Sequence, residues 1–168
     1  MGKKNSTDEI IVRLIEKNPD ITEDEIASKT GLDIDEIKNK IQHLSDTRIK
    51  ILIIDDDRDA ILPLKMSLES ANFNVLEAYS GHEGLEKARS EIPDLVLLDL
   101  MMPDIDGFEV CKTLKKDPHT KSIRIIMLTG KDAISTKIEG LENGADDYIT
   151  KPFNLNELKA RIRTILRR

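Results

Sequence analysis

Acidic, hydroxyl and cationic side chains follow four short apolar runs of this sequence. With a neighbouring glycine and proline, the positions are Asp55, Asp56, Asp57, Asp99, Thr129, Gly130, Lys151 and Pro152. Carboxylates that share one crevice repel each other unless a cation joins them, and an all-oxygen ligand set suits Mg²⁺. A lysine and a threonine beside such a set are useful if a phosphoryl group arrives. The pattern therefore predicts phosphoryl-transfer chemistry, in which Asp99 is the nucleophile.

Each of these residues also fits an ordinary role when it is taken alone. The alternatives are a helix cap or turn for the acidic residues and Thr129, a solvated side chain for Lys151, and core packing for Met101 and Met102. The combination favours chemistry, because the four sites fall at the same end of successive predicted strands.

The elements that position these residues are predicted from residue 49 onward. Short apolar runs predict strands at 49–55, 73–78, 94–99, 123–128 and 147–149. Amphipathic stretches predict helices at about 58–71, 80–91, 107–116, 132–142 and 155–167. Because the middle runs are apolar on consecutive residues, we expect an α/β fold with a parallel sheet and helices on both faces. Ligands bind such sheets at the carboxyl ends of the strands.

Two features predict details of the helices in this region. Ser80 and Glu83 have the spacing of a capping box. Pro63 falls inside the first of these helices, where it should remove a hydrogen bond and kink the chain.

Residues 1–47 contain no predicted strand and instead favour a small all-α domain of three helices. The segment ASKTG at 27–31, with Ile37 and Ile41 after it, resembles a helix-turn-helix. Side chains further along the last helix are candidates for DNA contacts: Lys38, Asn39, Lys40 and Gln42. Against DNA binding, that helix begins with acidic residues, and residues 1–48 carry eight Lys and Arg against eleven Asp and Glu, a net charge of −3. The alternative is a docking or dimerisation module.

The composition narrows the class of protein. A net charge of −6 argues against a general binder of nucleic acid or anionic membranes. The single cysteine, Cys111, excludes an internal disulfide. No apolar run reaches the roughly 18 residues of a membrane span, and the first residues lack the apolar core of a signal peptide. We expect a soluble cytoplasmic protein without a membrane partner.

Four motifs together resemble the receiver domain of two-component response regulators. They are ILIIDDD, PDLVLLDLMMPDIDG, IIMLTG and GADDYITKPF, within residues 48–168. The resemblance implies a doubly wound, flavodoxin-like sheet of five parallel strands in the order 2-1-3-4-5. It also implies that Asp99 is the phosphoacceptor, that a histidine kinase is the donor, and that Mg²⁺ is bound by Asp55, Asp56, Asp99 and the Met101 carbonyl.

The same resemblance assigns the residues of a switch. Thr129, with Gly130 beside it, would bind the phosphoryl group together with Lys151, and Tyr148 would turn inward as Thr129 moves. The bond between Lys151 and Pro152 would be cis. Asp57 lies one residue beyond the acidic pair of the family, which favours a helix cap.

Three functions remain open at this stage. The first is a phosphorylation-controlled transcription regulator, the second is a phosphorylation-controlled adaptor, and a homodimer suits both. The third is a phosphatase of the haloacid dehalogenase type, which would depend on Asp55 and would not use Asp99. For a receiver we expect no enzymatic turnover beyond slow self-dephosphorylation, with a phosphoryl lifetime below many hours, because Gly130 leaves the site open to water.

Overall fold

A computed structural model describes residues 6–130 and 144–168 of the chain. The chain divides into two compact units, Met1–Thr47 and Arg48–Arg168. None of the described helices is both long enough and apolar enough to cross a membrane.

The described residues of the first unit form three helices, as the sequence predicted. They are α1 (Thr7–Lys17), α2 (Glu23–Thr30) and α3 (Ile34–Ser45). Ile11, Ile26 and Ile37 contribute one buried side chain from each helix to a common core. The apolar residues at 10 and 44 also lie on these helices, but their side chains are exposed.

Polar side chains define where the helices of the first unit begin. Ser6 caps α1, and Thr22 and Asp33 form capping boxes at α2 and α3. At the other end of α2, Gly31 adopts a φ of +76°, a left-handed conformation that favours glycine. Three residues therefore separate α2 from α3, and the first of them reverses the chain.

The second unit is an α/β sandwich around one parallel sheet. Its strands are β1 (Lys50–Ile54), β2 (Asn74–Ala78), β3 (Leu95–Asp99), β4 (Arg124–Thr129) and β5 (Asp147–Thr150). Its described helices are α4 (Arg58–Ser70), α5 (Gly81–Glu91), α6 (Gly107–Lys116) and α7 (Leu155–Leu166). The strand order β2-β1-β3-β4-β5 confirms the predicted topology. The helix predicted at about 132–142 lies outside the described residues.

Consecutive strand residues are buried on opposite faces of the sheet, which explains the unbroken apolar runs. Ile51 and Ile53 of β1 pack into one cluster, which also contains residues of α4 and α7. Leu52 and Ile54 pack into the other cluster, which contains residues of α5 and α6. Cys111 belongs to this second cluster, where burial raises the pKa of its thiol to about 11. The two clusters hold the strand ends in register at the carboxyl edge.

The caps at the beginnings of α4 and α5 agree with those predicted from the sequence, except for one hydrogen bond. Asp57 caps α4 by accepting from the N–H groups of residues 59 and 60. Pro63 lies within α4, which continues through it to Ser70. Ser80 accepts from the Glu83 N–H as predicted, but the Glu83 carboxylate accepts from the Tyr79 N–H at 2.8 Å. The predicted capping box is therefore wrong in its second half, because Glu83 reaches one residue further back.

Candidate functional site

Three carboxylates converge at the carboxyl edge of the sheet. Asp55 follows β1 and Asp99 ends β3, and the pairing of Ile54 with Leu98 brings these strand ends side by side. Oxygen atoms of Asp55, Asp56 and Asp99 all lie within 4.8 Å of one another. Asp55 is buried, Asp99 is 8% exposed and Asp56 is exposed, so the cluster opens to solvent on the Asp56 side.

Lys151 joins two of these carboxylates. Its Nζ donates to Asp55 Oδ2 at 2.8 Å and to Asp99 Oδ1 at 3.1 Å. The side chain comes from the residue after β5, where the Lys151 N–H donates to the Thr129 carbonyl and the Lys151–Pro152 bond is cis. Residues that lie 96 positions apart in the chain, Asp55 and Lys151, thus form one ion pair.

Opposing forces act on the charges of this cluster. Burial raises the pKa of Asp99, Lys151 works to lower it, and the neighbouring charges of Asp55 and Asp56 add to the rise. Burial works to lower the pKa of Lys151, but its bonds to Asp55 and Asp99 outweigh this effect and raise that pKa. At neutral pH the lysine therefore stays charged, and burial is the largest force that opposes ionisation of Asp99.

The donor set fits a magnesium ion. Three carboxylates and one ammonium group leave a formal charge of −2 within one crevice. The ligand atoms are all oxygen, one side of the cluster is open to water, and Mg²⁺ prefers one or two carboxylates with retained waters. Asp55, Asp56 and Asp99 are therefore the residues of the described chain that could hold the ion.

Thr129 and Tyr148 lie on β4 and β5, the two strands that follow β3 in the order of the sheet. Thr129 ends β4 with only 1% of its surface exposed, and its Oγ1 has no hydrogen-bond partner among the described residues. Tyr148 is 9% exposed, its hydroxyl is likewise unpaired within the described ranges, and burial raises its pKa to about 12. The Tyr148 side chain could lie either exposed or buried, and in this structure it is buried. Buried polar groups are usually paired, so the Thr129 hydroxyl has capacity for a ligand.

The loop after β3 places Met101 and Gly107 at the rim of the site. Met101 is 76% exposed, so its assignment as a possible core residue is wrong, whereas Met102 packs partly against the core. A Cβ atom on Gly107 would lie 2.5 Å from the Asp99 carbonyl oxygen, so only glycine lets α6 begin this close to the phosphoacceptor candidate. Sequence reasoning missed Gly107, although the acidic turn before it was the available signal.

Gly130 follows Thr129 and is exposed. No described atom lies within 4 Å of the position that a Cβ would take there. Pro152, which follows Lys151, is also exposed.

The candidate DNA-binding residues of the first unit differ in their surroundings. Lys38, Asn39 and Gln42 are exposed on α3. Lys40 is half-buried, with its Nζ 2.6 Å from Asp8 Oδ1, and Lys38 Nζ lies 4.0 Å from Glu23 Oε2. Both lysines therefore have an acidic neighbour within the same unit.

Comparison with known proteins agrees with this architecture. The response regulator receiver domain matches residues 51–163. The chain therefore belongs to the response regulator receiver family, and this match lies entirely in the second unit.

Two relatives carry names that describe transcription regulators. The alkaline phosphatase synthesis transcriptional regulatory protein PhoP of Bacillus subtilis is 47% identical over 119 residues, which are 71% of this chain and 49% of that protein. The DNA-binding dual master transcriptional regulator RpaA of Synechocystis is 46% identical over the same length, with the same coverage. The chain spans about half the length of these relatives.

Solved structures of receivers superpose on the same part of the chain. A two-component response regulator from Clostridium difficile is 35% identical with a TM-score of 0.68, over 72% of this chain and 98% of that one. A CheY-like receiver domain protein from Methanospirillum hungatei is 33% identical with a TM-score of 0.68, over 71% and 94%.

Proposed function

We propose that Asp99 accepts a phosphoryl group from the phosphohistidine of a histidine kinase. A carboxylate oxygen of Asp99 forms the new P–O bond, the P–N bond of the donor breaks, and its electron pair returns to the imidazole ring, which takes up a proton. The observation that carries this proposal is the convergence of Asp55, Asp56, Asp99 and Lys151 on one open crevice.

Each residue of the crevice has a distinct task in this proposal. Asp55 and Asp56, with Asp99 and the Met101 carbonyl, would hold Mg²⁺, which neutralises the charge of the phosphoryl oxygens when it is bound. The ammonium group of Lys151 exchanges its hydrogen bonds to the two carboxylates for hydrogen bonds to the new phosphoryl oxygens. The buried Thr129 hydroxyl, unpaired among the described residues, donates to one of these oxygens.

The same events supply a switch in the second unit. Phosphorylation adds nearly two negative charges at Asp99 and draws Thr129 and Lys151 toward them. Tyr148 is the second residue of β5, pairs with Met127 of β4 and is buried in the second cluster, so a shift of Thr129 further along β4 changes the room available to it. The surface of β5 and α7 then becomes the output face.

Labelling with acetyl phosphate in Mg²⁺ tests the phosphoacceptor. We expect a hydroxylamine-sensitive phosphoryl group on the wild type and on Asp57→Asn, a neighbouring cap residue outside the carboxylate cluster. Asp99→Asn should abolish labelling. Retained labelling in Asp99→Asn, with loss in Asp55→Asn, would replace the receiver mechanism by that of a dehalogenase-type phosphatase.

We further propose that the first unit binds DNA under the control of this switch. The support is a helix pair, α2 and α3, joined by three residues with a left-handed glycine, and the transcription regulators among the relatives. A specific observation favours the alternative, an adaptor that binds protein. Lys38 and Lys40 already have acidic partners, so fewer cations are free for phosphate contacts.

Binding to genomic DNA fragments across a salt series separates these two outputs. The full chain is used with and without beryllofluoride and Mg²⁺, since beryllofluoride mimics a phosphoryl group on Asp99. Selective binding that responds to beryllofluoride and weakens with salt supports a transcription regulator, and Gln42→Ala should then reduce it. Absence of binding in both states at low salt favours the adaptor.

A further inference from the structure

Asp104, in the loop between β3 and α6, binds the beginning of a different helix. Its Oδ1 accepts from the Gly81 N–H at 3.1 Å, and its Oδ2 accepts from the His82 N–H at 3.0 Å. His82 Nδ1 lies 2.8 Å from the same Oδ2. Together with Ser80, which accepts from the Glu83 N–H, Asp104 satisfies the free N–H groups of the first turn of α5.

Close packing reinforces these bonds. A Cβ atom on Gly81 would lie 2.3 Å from Ile105 Cγ1, so the absence of a side chain at Gly81 lets the loop rest directly on the helix. Burial works to raise the pKa of Asp104, but hydrogen bonds from His82, Gly81 and Ile105 together lower it. The carboxylate is therefore charged, and the partial positive charge at the helix N-terminus stabilises it there.

One end of this loop is bonded to the sheet, and the other end is bonded back to the first. The Leu100 N–H donates to the Leu128 carbonyl at 3.1 Å, and the Gly107 N–H donates to the Leu100 carbonyl at 2.9 Å. Between these points, Asp104 and Ile105 supply the contacts to α5 described above. Met101, the proposed carbonyl ligand, lies within this anchored segment, two residues after Asp99.

We infer that Asp104 is a positioning residue for the metal site, because its bonds to Gly81 and His82 hold the loop that carries the Met101 carbonyl. The inference rests on the proposed function, in which this carbonyl is a ligand of Mg²⁺. A backbone carbonyl cannot be oriented by a rotamer, so the loop must fix its direction. Removal of a group that orients a metal ligand typically weakens metal binding about 10- to 100-fold.

Two variants that alter the same helix terminus test this inference. Asp104→Asn keeps the size of the side chain but places an amide NH₂ where a second acceptor is needed. Ser80→Ala is the matched control, because it removes another cap of α5 without touching the loop. Mg²⁺ binding to each full-length chain is measured by titration calorimetry, and unfolding by urea gives the stability of each.

We expect Asp104→Asn to weaken Mg²⁺ binding about ten-fold and Ser80→Ala to leave it within two-fold, although both lose stability. At saturating Mg²⁺, labelling of Asp104→Asn by acetyl phosphate should return toward the wild-type rate. Equal Mg²⁺ affinity in Asp104→Asn and the wild type overturns the positioning role while the proposed function stands. A wild-type chain that does not bind Mg²⁺ overturns both.

Discussion

Removing Asp56 should make the protein more stable when Mg²⁺ is absent. Its carboxylate lies within 4.8 Å of those of Asp55 and Asp99, whereas Lys151 bonds only to the other two. At 4.8 Å, one like-charge pair costs about 3.5 kcal/mol at a dielectric constant of about 20 and about 0.9 kcal/mol in bulk water. Because Asp56 is exposed, the lower value applies to each of its two pairs.

Attraction to the nearby Lys151 offsets part of this repulsion. We therefore expect Asp56→Asn to raise the free energy of unfolding by about 1 kcal/mol at low ionic strength without Mg²⁺. Mg²⁺ should offset this difference. At ten times its dissociation constant, it stabilises the wild type by about 1.4 kcal/mol, and the variant, which lacks one ligand, gains less.

Urea unfolding followed by tyrosine fluorescence measures this difference. The chain has no tryptophan and two tyrosines, Tyr79 and Tyr148, so the signal comes from the second unit alone. Asp57→Asn is the control, since it removes a neighbouring charge and keeps the cap, and its stability should change by less than about 0.5 kcal/mol. If Asp56→Asn is less stable than the wild type without Mg²⁺, the carboxylates do not repel as the geometry requires.

Three further outcomes follow from other parts of the second unit. Gly107→Ala should lower the free energy of unfolding by about 1–3 kcal/mol, because the new Cβ would lie 2.5 Å from the Asp99 carbonyl oxygen. An unchanged midpoint of urea unfolding would contradict this. Burial raises the pKa of Tyr148 to about 12, so the stability that comes from its neutral form is complete below about pH 10 and is lost between about pH 10 and 12. The ultraviolet absorbance of the phenolate should therefore rise in two steps as the pH increases. Tyr148→Phe should remove the step at higher pH. A thiol reagent at pH 8 should modify Cys111 at least about 100-fold more slowly in the folded protein than in urea, because burial raises the thiol pKa to about 11; equal rates would show that the thiol is accessible.

The sheet was predictable from sequence because its strands are buried on both faces. Short runs of consecutive apolar residues at Ile51–Ile54 and Leu95–Leu98 favour strands that are buried on both faces, and the structure shifts the predicted strand bounds by only about a residue. The meeting of Asp55 and Asp99 follows in turn, since the carboxyl ends of neighbouring parallel strands lie at one edge.

Other features depend on contacts that no local pattern specifies. Tyr148 suits both a buried and an exposed position, so its inward placement required the packing of β4 and β5. Met101 is apolar by type, yet the loop that carries it turns outward. Asp104 reads as a turn residue, and its bonds to the beginning of α5 join segments 22 to 23 residues apart. The bond from the Tyr79 N–H to the Glu83 carboxylate likewise departs from the standard capping-box spacing.

The ion pair between Asp55 and Lys151 also has a consequence for protein synthesis. When the ribosome has added residue 146, the growing chain contains Asp55, Asp56, Asp99 and Thr129, but β5 and the lysine after it have not yet been made. The acidic edge is then without its internal counterion, and the Lys151 N–H that donates to the Thr129 carbonyl is missing. An unfinished chain therefore has the Asp99 carboxylate without the cation that pairs with it, and the cluster of carboxylates and lysine is complete only after β5 and Lys151 have been made.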